Sequence, residues 1–221
     1  CGGGQGVGDR GMNASDRGAG RGGGANGAER AGCNVLWAGN HWQFAGDFDR
    51  LNHPGSDPKC QDLYQANWSQ VPAHDILLAS PCCQGHSKAR GKSSNNAQHD
   101  ASRSTAWAVV SACEYHRPEV ALIENVVEFT QWILYPAWAS AMRALGYQIA
   151  PHIVDSADFG VPQNRVRLFL VCTRSNAPLM LQIPAQRHET AATFVDFNAG
   201  KWSLIERPNR AASTHERVAA G

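Results

Sequence analysis

Residues 75–87 read Asp-Ile-Leu-Leu-Ala-Ser-Pro-Cys-Cys-Gln-Gly-His-Ser, a short apolar run that passes directly into a loop of small, polar and thiol side chains. An apolar run of this length, bounded by turn residues, is typical of a buried strand. In open parallel α/β sheets, ligands and reacting groups collect in the loops that follow the carboxyl ends of the strands. This stretch therefore predicts a strand of such a sheet and a reactive loop at its edge.

The same alternation of short apolar runs and amphipathic segments extends from Cys33 to Cys172. The apolar runs predict strands at residues 35–38, 76–79, 120–123, 148–154 and 167–172. Helical spacing occurs in two segments between them, one with Trp107, Val110 and Cys113 and one with Trp138, Met142, Leu145 and the C-cap residue Gly146. This alternation of strands and helices predicts an α/β fold, a mostly parallel sheet with helices on both faces.

Composition limits the class of protein. The formal net charge of +1 on 221 residues does not indicate a nucleic-acid partner, so any basic surface must be local. Seven cysteines with no CxxC spacing argue against a disulfide framework and a zinc ribbon. The apolar runs are far shorter than the ~20 residues that span a bilayer. We therefore expect a soluble, monomeric protein of a reducing compartment, the cytoplasm, with no membrane segment and no bound metal.

The sequence divides into three parts. Residues 1–27 are dominated by Gly and cannot bury a core of their own. Residues 28–175 carry the alternation of strands and helices and are predicted to form the catalytic domain. Residues 176–221 are punctuated by Pro and Ala and are predicted to be a linker that opens a second, truncated domain. Because the chain begins with Cys and ends without a closing element, we expect it to be a fragment.

The loop after the strand at residues 76–79 contains the candidate nucleophile, Cys83. Lys88, Arg90 and Lys92 follow it, and a thiol at a strand-to-loop junction among cations is placed to ionise. A free Cys is otherwise commonly a small buried hydrophobe, and that interpretation stays open. A phosphatase-like loop is disfavoured because six residues, rather than five, separate Cys83 from Arg90.

Two further loops carry charged candidates. Glu124 follows the strand at residues 120–123, where a carboxylate is either an acid or an ion-paired or capping group. Strand periodicity puts Gln163, Arg165 and Arg167 on one face, and two adjacent guanidinium groups require acceptor oxygens. Those oxygens could belong to a ligand or to a structural salt bridge, and both interpretations stay open.

Together these loops resemble the DNA cytosine-5 methyltransferase family. The family has a Pro-x-Cys-Gln loop, a Glu-Asn-Val loop and a Gln-x-Arg-x-Arg strand in that order, and the chain has them at residues 81–84, 124–126 and 163–167. The resemblance extends over residues 28–172 and implies a Rossmann-like S-adenosylmethionine-dependent methyltransferase fold. It places the nucleophile directly before Gln, which selects Cys83 over Cys82.

The resemblance also implies a mechanism. The Cys83 thiolate adds to C6 of cytosine, and C5 of the resulting enamine attacks the methyl group of S-adenosylmethionine. Glu124 holds or protonates N3, while Arg165 and Arg167 neutralise O2. Because these atoms cannot be reached inside a stacked duplex, the cytosine must be flipped out of double-stranded DNA. Residues 85–96 are expected to close over the DNA backbone.

The donor site of the family is matched less completely. Trp42 can stack on adenine, His41 stands where the family has an acid for the ribose hydroxyls, and Asp62 matches the acid that reads the adenine amino group. On spacing, the Gly-rich turn is matched by Gly22, Gly23 and Gly24 rather than by residues 1–4. The polar residues 16–21 before it are not expected to fill the centre of a sheet, so the donor loop is expected to be damaged.

Three functions remain open at this point. The first is a DNA cytosine-5 methyltransferase of restriction-modification or phage type, and the second is an RNA cytosine-5 methyltransferase. The third is a catalytically inactive, nucleic-acid-binding remnant. Donor binding would separate the third function from the first two.

Overall fold

A computed structural model describes residues 11–18, 22–40, 42–60, 66–82, 97–183, 188–196, 198–200 and 211–219. The strands are β1 Asn13–Arg17, β2 Asn34–Asn40, β3 Asp57–Cys60, β4 Ile76–Ala79, β5 Val120–Asn125, β6 Gln148–Asp155 and β7 Val166–Thr173. The helices are α1 Gly23–Arg30, α2 Gln43–Asn52, α3 Ala97–His116, α4 Tyr135–Ala144 and α5 Ala212–Ala219.

All of these strands belong to one sheet in the order β3-β2-β1-β4-β5-β7-β6. The pairs from β3 to β5 are parallel, whereas β7 runs antiparallel to both β5 and β6. The mostly parallel sheet expected from the sequence is confirmed. Each of the five predicted strands is present, and β4 has the predicted bounds.

Different helices cover the two faces of the sheet. On one face, Ala121 and Ile123 of β5 pack with side chains of α3 and α4 around Trp138, and all three residues are fully buried. On the other face, Ala14 of β1 packs against Ala25 of α1. Because side chains alternate along a strand, neighbouring residues of one strand serve both cores. The expected placement of helices on both faces is therefore confirmed.

The predicted helices are also present. The segments with helical spacing lie in α3 and in α4 with its C-cap Leu145, and Gly146, the residue after that cap, has a φ of 93°. The N–H of Gly146 donates to Arg143 O, and the N–H of Tyr147 donates to Met142 O. This pair of bonds is the Schellman motif, which satisfies the last carbonyl groups of the helix.

The central strand β1 corrects one expectation. Residues 16–21 were not expected to contribute to the middle of a sheet, but Asp16 and Arg17 lie in β1 between β2 and β4. The ladder bonds of a parallel strand are made by the main chain and require no particular side chain. The Arg17 guanidinium lies 5.1 Å from the ring centre of Trp37 and 4.2 Å from that of Trp68, so aromatic rings accommodate it.

Strand β3 was also missed, because Asp57, Pro58 and Lys59 have low strand propensity. Its position at the edge of the sheet explains why a proline is tolerated, since an edge strand has one side without ladder bonds. After β7, the described part of the chain adds no further strand to the sheet. Within the described ranges, no helix combines the length and the apolar character that crossing a bilayer requires.

Candidate active site

The loop that leads to Cys83 is fixed against the end of β5. Ala79, the last residue of β4, pairs with Ile123 of β5, so the residues that follow in the two strands lie at the same edge of the sheet. The Asn125 side chain donates to Pro81 O at 3.2 Å, and its Oδ1 accepts the N–H of Val126 at 2.8 Å. Cys83 and residues 85–96 lie outside the described residues, so the nucleophile and the closing loop remain predictions.

Cys82, the last described residue before the predicted nucleophile, is a partly buried free thiol. Its N–H donates to the Oγ1 of Thr105 on α3 at 2.9 Å. The two residues that precede Cys83 are thus held from β5 and from α3. Sequence reasoning singled out neither Thr105 nor this bond.

Glu124 forms an ion triad with the two predicted arginines. Its Oε1 lies 3.1 Å from Nε of Arg167 and 3.6 Å from Nη2 of Arg165. Because Glu124 pairs with Phe169 across the antiparallel β5–β7 ladder, Arg167 is its diagonal neighbour on the same face. The carboxylate and the Arg167 side chain are each about a quarter exposed, at 26% and 25%, so the triad faces partly into open space.

The arginines do project to one side, as their spacing predicted, but Gln163 lies in the bend before β7. Its N–H donates to Val161 O at 2.7 Å, and the strand itself begins only at Val166. Strand periodicity therefore does not extend to Gln163. The two interpretations of the arginines are both consistent with the triad, since a salt bridge to Glu124 is present in the absence of a ligand.

A carboxylate that the sequence did not single out holds the backbone of Arg165. Asp155 Oδ1 accepts the N–H of Ala157 at 3.1 Å and that of Arg165 at 2.8 Å. These two backbone hydrogen bonds lower the pKa of Asp155. The local signal was an Asp directly before a Ser-Ala turn, a pattern typical of a capping side chain.

A cavity of about 420 Å³ opens beside the triad. Its walls are Glu124, Arg165 and Arg167 together with Leu122, Val154, Ser156, Phe159, Val161, Phe169 and Leu181. Small-molecule sites commonly have ~300–1,000 Å³ and combine apolar walls with a few placed polar groups. Apolar walls with charged groups on one side suit a flat heterocycle that carries polar atoms along one edge.

The predicted donor loop follows β1. Gly22 has a φ of 76° and caps the N-terminus of α1, where Gly23 and Gly24 form the first two residues. A Cβ at Gly24 would lie 2.7 Å from Asp16 Oδ2, whereas a Cβ at Gly23 would meet no atom of the described residues within 4 Å. Internal packing thus explains Gly22 and Gly24, while the described residues leave space beside Gly23 for a ligand.

A cluster of titratable groups, buried except for Glu29, lies beneath this loop. Burial, followed by the nearby Asp49 carboxylate, raises the pKa of Asp16 to about 7. His53 Nδ1 lies 2.8 Å from Glu29 Oε2, and the Oγ of Ser56 donates to Asp49 Oδ2 at 3.1 Å. The members come from β1, α1 and the end of α2, so no local motif indicated the cluster. A polar cavity of about 360 Å³ borders it.

Trp42 is the second residue after β2, at the same edge of the sheet. Its ring is half exposed, at 51%, and its centre lies 5.0 Å from the ring centre of Phe44. The N–H of Gly18 donates to Gly39 O, which joins the ends of β1 and β2. The described residues therefore leave an accessible aromatic ring on the donor side, while His41 and Asp62 lie outside them. Across the described ranges, no group of three or more metal-ligating side chains could hold a metal ion.

Comparison with known proteins gives consistent matches. The family model of the C-5 cytosine-specific DNA methylase matches residues 12–216. The chain is 28% identical over 158 residues to the Type II methyltransferase M.DsaV of Dactylococcopsis salina, a match that covers 61% of this chain and 43% of that protein. It is 27% identical over 152 residues to M.HhaI of Haemophilus parahaemolyticus, which covers 67% and 45%.

Solved structures match in fold. The Entamoeba histolytica methyltransferase EhMeth superposes with a TM-score of 0.66 at 17% identity, covering 87% of this chain and 62% of that chain. The Dnmt2 methyltransferase of S. pombe superposes with a TM-score of 0.62 at 17% identity, covering 93% and 62%. The chain spans less than half the length of the two Type II relatives named above.

Proposed function

The chain belongs to the C-5 cytosine-specific DNA methylase family, and from that premise we propose that it transfers a methyl group from S-adenosylmethionine to C5 of cytosine in DNA. One observation carries the proposal: the Glu124 carboxylate and its two arginines line a cavity at the sheet edge where the Pro81 loop is anchored. That edge is where an open α/β sheet holds its reacting groups.

Cys83 is the proposed nucleophile. Its sulfur forms a bond to C6 of cytosine, and the electron pair of the C5–C6 double bond becomes available at C5 for the methyl group. Removal of the C5 proton then restores the double bond and expels the thiolate. The anchored backbone at Pro81 and Cys82 supports this role, because a nucleophile must be held in a near-attack position.

Glu124, Arg165 and Arg167 are proposed to bind the base. The Glu124 carboxyl group holds or protonates N3, which absorbs the charge that develops when the thiolate adds. The arginines neutralise O2 and keep the carboxyl group oriented. The present triad supports this proposal because both guanidinium groups already contact one carboxylate oxygen.

S-adenosylmethionine supplies the methyl group when it is bound. The residues present fit such a donor, because the described part of the chain leaves space beside Gly23 and exposes about half of the Trp42 ring. We propose that the main chain at Gly22, Gly23 and Gly24 forms the cradle and that Trp42 stacks on adenine. His41 is proposed for the ribose hydroxyls and Asp62 for the adenine amino group.

The acceptor is proposed to be a cytosine flipped out of double-stranded DNA and bound by a monomer. Residues 28–175, with β1 before them, provide the catalytic domain in this proposal. Residues 176–221 provide a linker and the opening of a target-recognition domain. The cost of unstacking a base is a few kcal/mol, which contacts in the cavity would offset.

A nucleic-acid-binding protein without catalysis is the second candidate. One observation favours it: β1, which precedes the donor loop, buries polar atoms of Asp16 and Arg17 that have no hydrogen-bond partner among the described residues. Titration of the purified protein with S-adenosylmethionine separates the two candidates. Saturable donor binding supports the enzyme, and its absence supports the binding protein.

The proposed chemistry is tested by the transfer of a labelled methyl group from S-adenosylmethionine to a cytosine-containing duplex. We expect Cys83→Ser to abolish transfer while DNA binding persists, because serine lacks a comparably nucleophilic side chain. Cys82→Ala is the matched control and should retain most activity. Full turnover by Cys83→Ser would remove Cys83 from its role, and an equal loss in both variants would reject the choice between the thiols.

A further inference from the structure

We propose that Thr105 is a positioning residue for the nucleophile: its hydroxyl on α3 holds the backbone N–H of Cys82 and thereby orients the peptide that leads into Cys83. The inference rests on the proposed function, because it assigns a task to Thr105 only if Cys83 attacks the base. The bond itself, 2.9 Å from Cys82 N to Thr105 Oγ1, joins residues 23 positions apart in the chain.

The Cys82 N–H lies just beyond the end of the sheet. The N–H of Ser80 still donates to Arg17 O of β1 at 2.8 Å, but the next residue is Pro81, which has no N–H. Cys82 is therefore the first residue after the ladder that can donate from its backbone. A partly buried N–H without an acceptor is costly, so the acceptor at this position decides the direction in which the chain leaves the sheet.

Thr105 and Asn125, which belong to different elements of the fold, bind the backbone of two consecutive residues. Asn125 at the end of β5 binds the carbonyl group of Pro81, and Thr105 on α3 binds the N–H of Cys82. These two groups belong to the same peptide unit, the one that joins Pro81 to Cys82. A peptide held at its carbonyl oxygen and at its nitrogen has a fixed plane, so the position of the Cys82 Cα, from which the chain continues to Cys83, is fixed as well.

The support beneath Thr105 is rigid. The following residue, Ala106, is 2% exposed, and its carbonyl group accepts the indole N–H of Trp138 at 2.9 Å. Trp138 is fully buried in the core between α3 and α4. A β-branched side chain in a helix also has few χ1 rotamers, which restricts the hydroxyl of Thr105. The hydrogen bond from Cys82 to Thr105 therefore fixes the start of the loop relative to the core.

Two substitutions at this residue separate its hydroxyl from its shape. Thr105→Val keeps the branched shape and removes the acceptor, whereas Thr105→Ser keeps the acceptor and removes a methyl group. Thr130→Val is the matched control, because it removes an exposed hydroxyl that donates to Val127 O at 3.1 Å, away from the Pro81–Cys82 peptide. Folding of each variant is checked by its thermal unfolding midpoint.

The first measurement is the rate of covalent adduct formation with a 5-fluorocytosine duplex at saturating DNA and donor. A misplacement of about 1 Å can cost on the order of 100-fold in rate, so we expect Thr105→Val to slow the adduct 10- to 100-fold with donor and DNA affinities within twofold. Thr105→Ser and Thr130→Val should stay within about threefold of the unsubstituted chain. An unchanged rate in Thr105→Val, or an equal loss in Thr105→Ser, would overturn the proposal.

The second measurement is hydrogen exchange of the Cys82 amide in the protein without DNA or donor. We expect Thr105→Val to accelerate this exchange at least tenfold and Thr105→Ser to leave it near its original rate. If the unsubstituted chain forms no adduct, the proposed function fails, but exchange still tests the anchor. Equal exchange in the chain and in Thr105→Val would then reject the anchor by itself.

Discussion

The catalytic side of the sheet consists of β4 to β7 with α3 and α4, and the donor side consists of β1 to β3 with α1 and α2. The two sides bury polar groups in different ways. On the catalytic side, the buried Asn125, Trp138 and Tyr147 donate to backbone carbonyl groups at 3.2, 2.9 and 2.8 Å. On the donor side, buried atoms of Asp16 and Arg17 have no hydrogen-bond partner among the described residues. An unsatisfied buried group costs about 1–3 kcal/mol. Among the described residues, the catalytic side leaves unpaired only one ring nitrogen each of His74 and His116, whereas β1 on the donor side leaves buried charged groups unpaired, so we expect the catalytic side to be the firmer of the two.

The same comparison extends to charge. The triad of Glu124 with Arg165 and Arg167 pairs opposite charges at a partly open edge. Burial instead raises the pKa of Asp16 to about 7, with a further contribution from the Asp49 carboxylate, and burial lowers the pKa of Arg17 to about 10. Adjacent residues of one strand point to opposite faces, so Asp16 and Arg17 cannot pair with each other. The donor side should therefore respond to pH more strongly than the catalytic side.

The largest change in stability is expected from a substitution in the core of the catalytic side. Trp138→Ala removes a fully buried ring and its bond to Ala106, and we expect the free energy of unfolding to fall by ~3–5 kcal/mol. Urea unfolding followed by circular dichroism measures this loss. Trp138→Phe is the control, because it keeps an aromatic ring and should cost clearly less. A loss below about 1 kcal/mol for Trp138→Ala would show that the catalytic core is not the firmer half.

The second expected change is in the pH dependence of stability on the donor side. The folded-state pKa of Asp16, about 7, lies above the unfolded value of 3.8, so the folded state binds the proton more tightly. The contribution of Asp16 is fully present below pH 4 and is lost as the pH rises through 7. Asp16→Asn should abolish this decline and be more stable than the unsubstituted chain at pH 8, on the order of 3 kcal/mol.

Urea unfolding at pH 5 and pH 8 measures this response. Asp49 and His53, the charged neighbours of Asp16, are kept unchanged in both proteins. Parallel pH profiles of the two proteins would contradict the assignment of the decline to Asp16.

A smaller change, a gain in stability, is expected when the buried cation of the donor side is removed. Arg17→Leu replaces a buried guanidinium that has no hydrogen-bond partner among the described residues with an apolar side chain, and we expect a gain of ~1–3 kcal/mol in the free energy of unfolding. The loss of ring contacts with Trp37 and Trp68 offsets part of that gain. Arg167→Leu is the control and should not stabilise the chain, because its guanidinium is paired. Destabilisation by Arg17→Leu would show that the strand depends on the cation.

The two sides also differ in how well the sequence predicts them. Strands β4 and β5 were predicted because apolar residues fill both of their faces, and Glu124 because it ends such a run. Strand β1 was missed because Ser15, Asp16 and Arg17 carry no hydrophobic signal, although its backbone pairs with two neighbours. Hydrophobic patterns indicate side-chain burial and are silent about main-chain pairing.

The anchors of the site were missed for another reason. Asp155 and Thr105 act by accepting backbone N–H groups that lie 10 and 23 positions away. Such bonds depend on how the strands and helices meet, and no local spacing reports them. The proposed nucleophile and its charged partners, in contrast, stand in short motifs whose order along the chain can be read directly.

The most direct test of attack by Cys83 uses a duplex with 5-fluorocytosine, incubated with the purified protein and S-adenosylmethionine and run on a denaturing gel. Fluorine at C5 cannot leave as a proton does, so the thiolate remains attached to the base. We expect a covalent protein–DNA adduct that maps to Cys83 by peptide analysis. Donor and DNA binding without an adduct, or an adduct that maps to Cys82, would contradict the account.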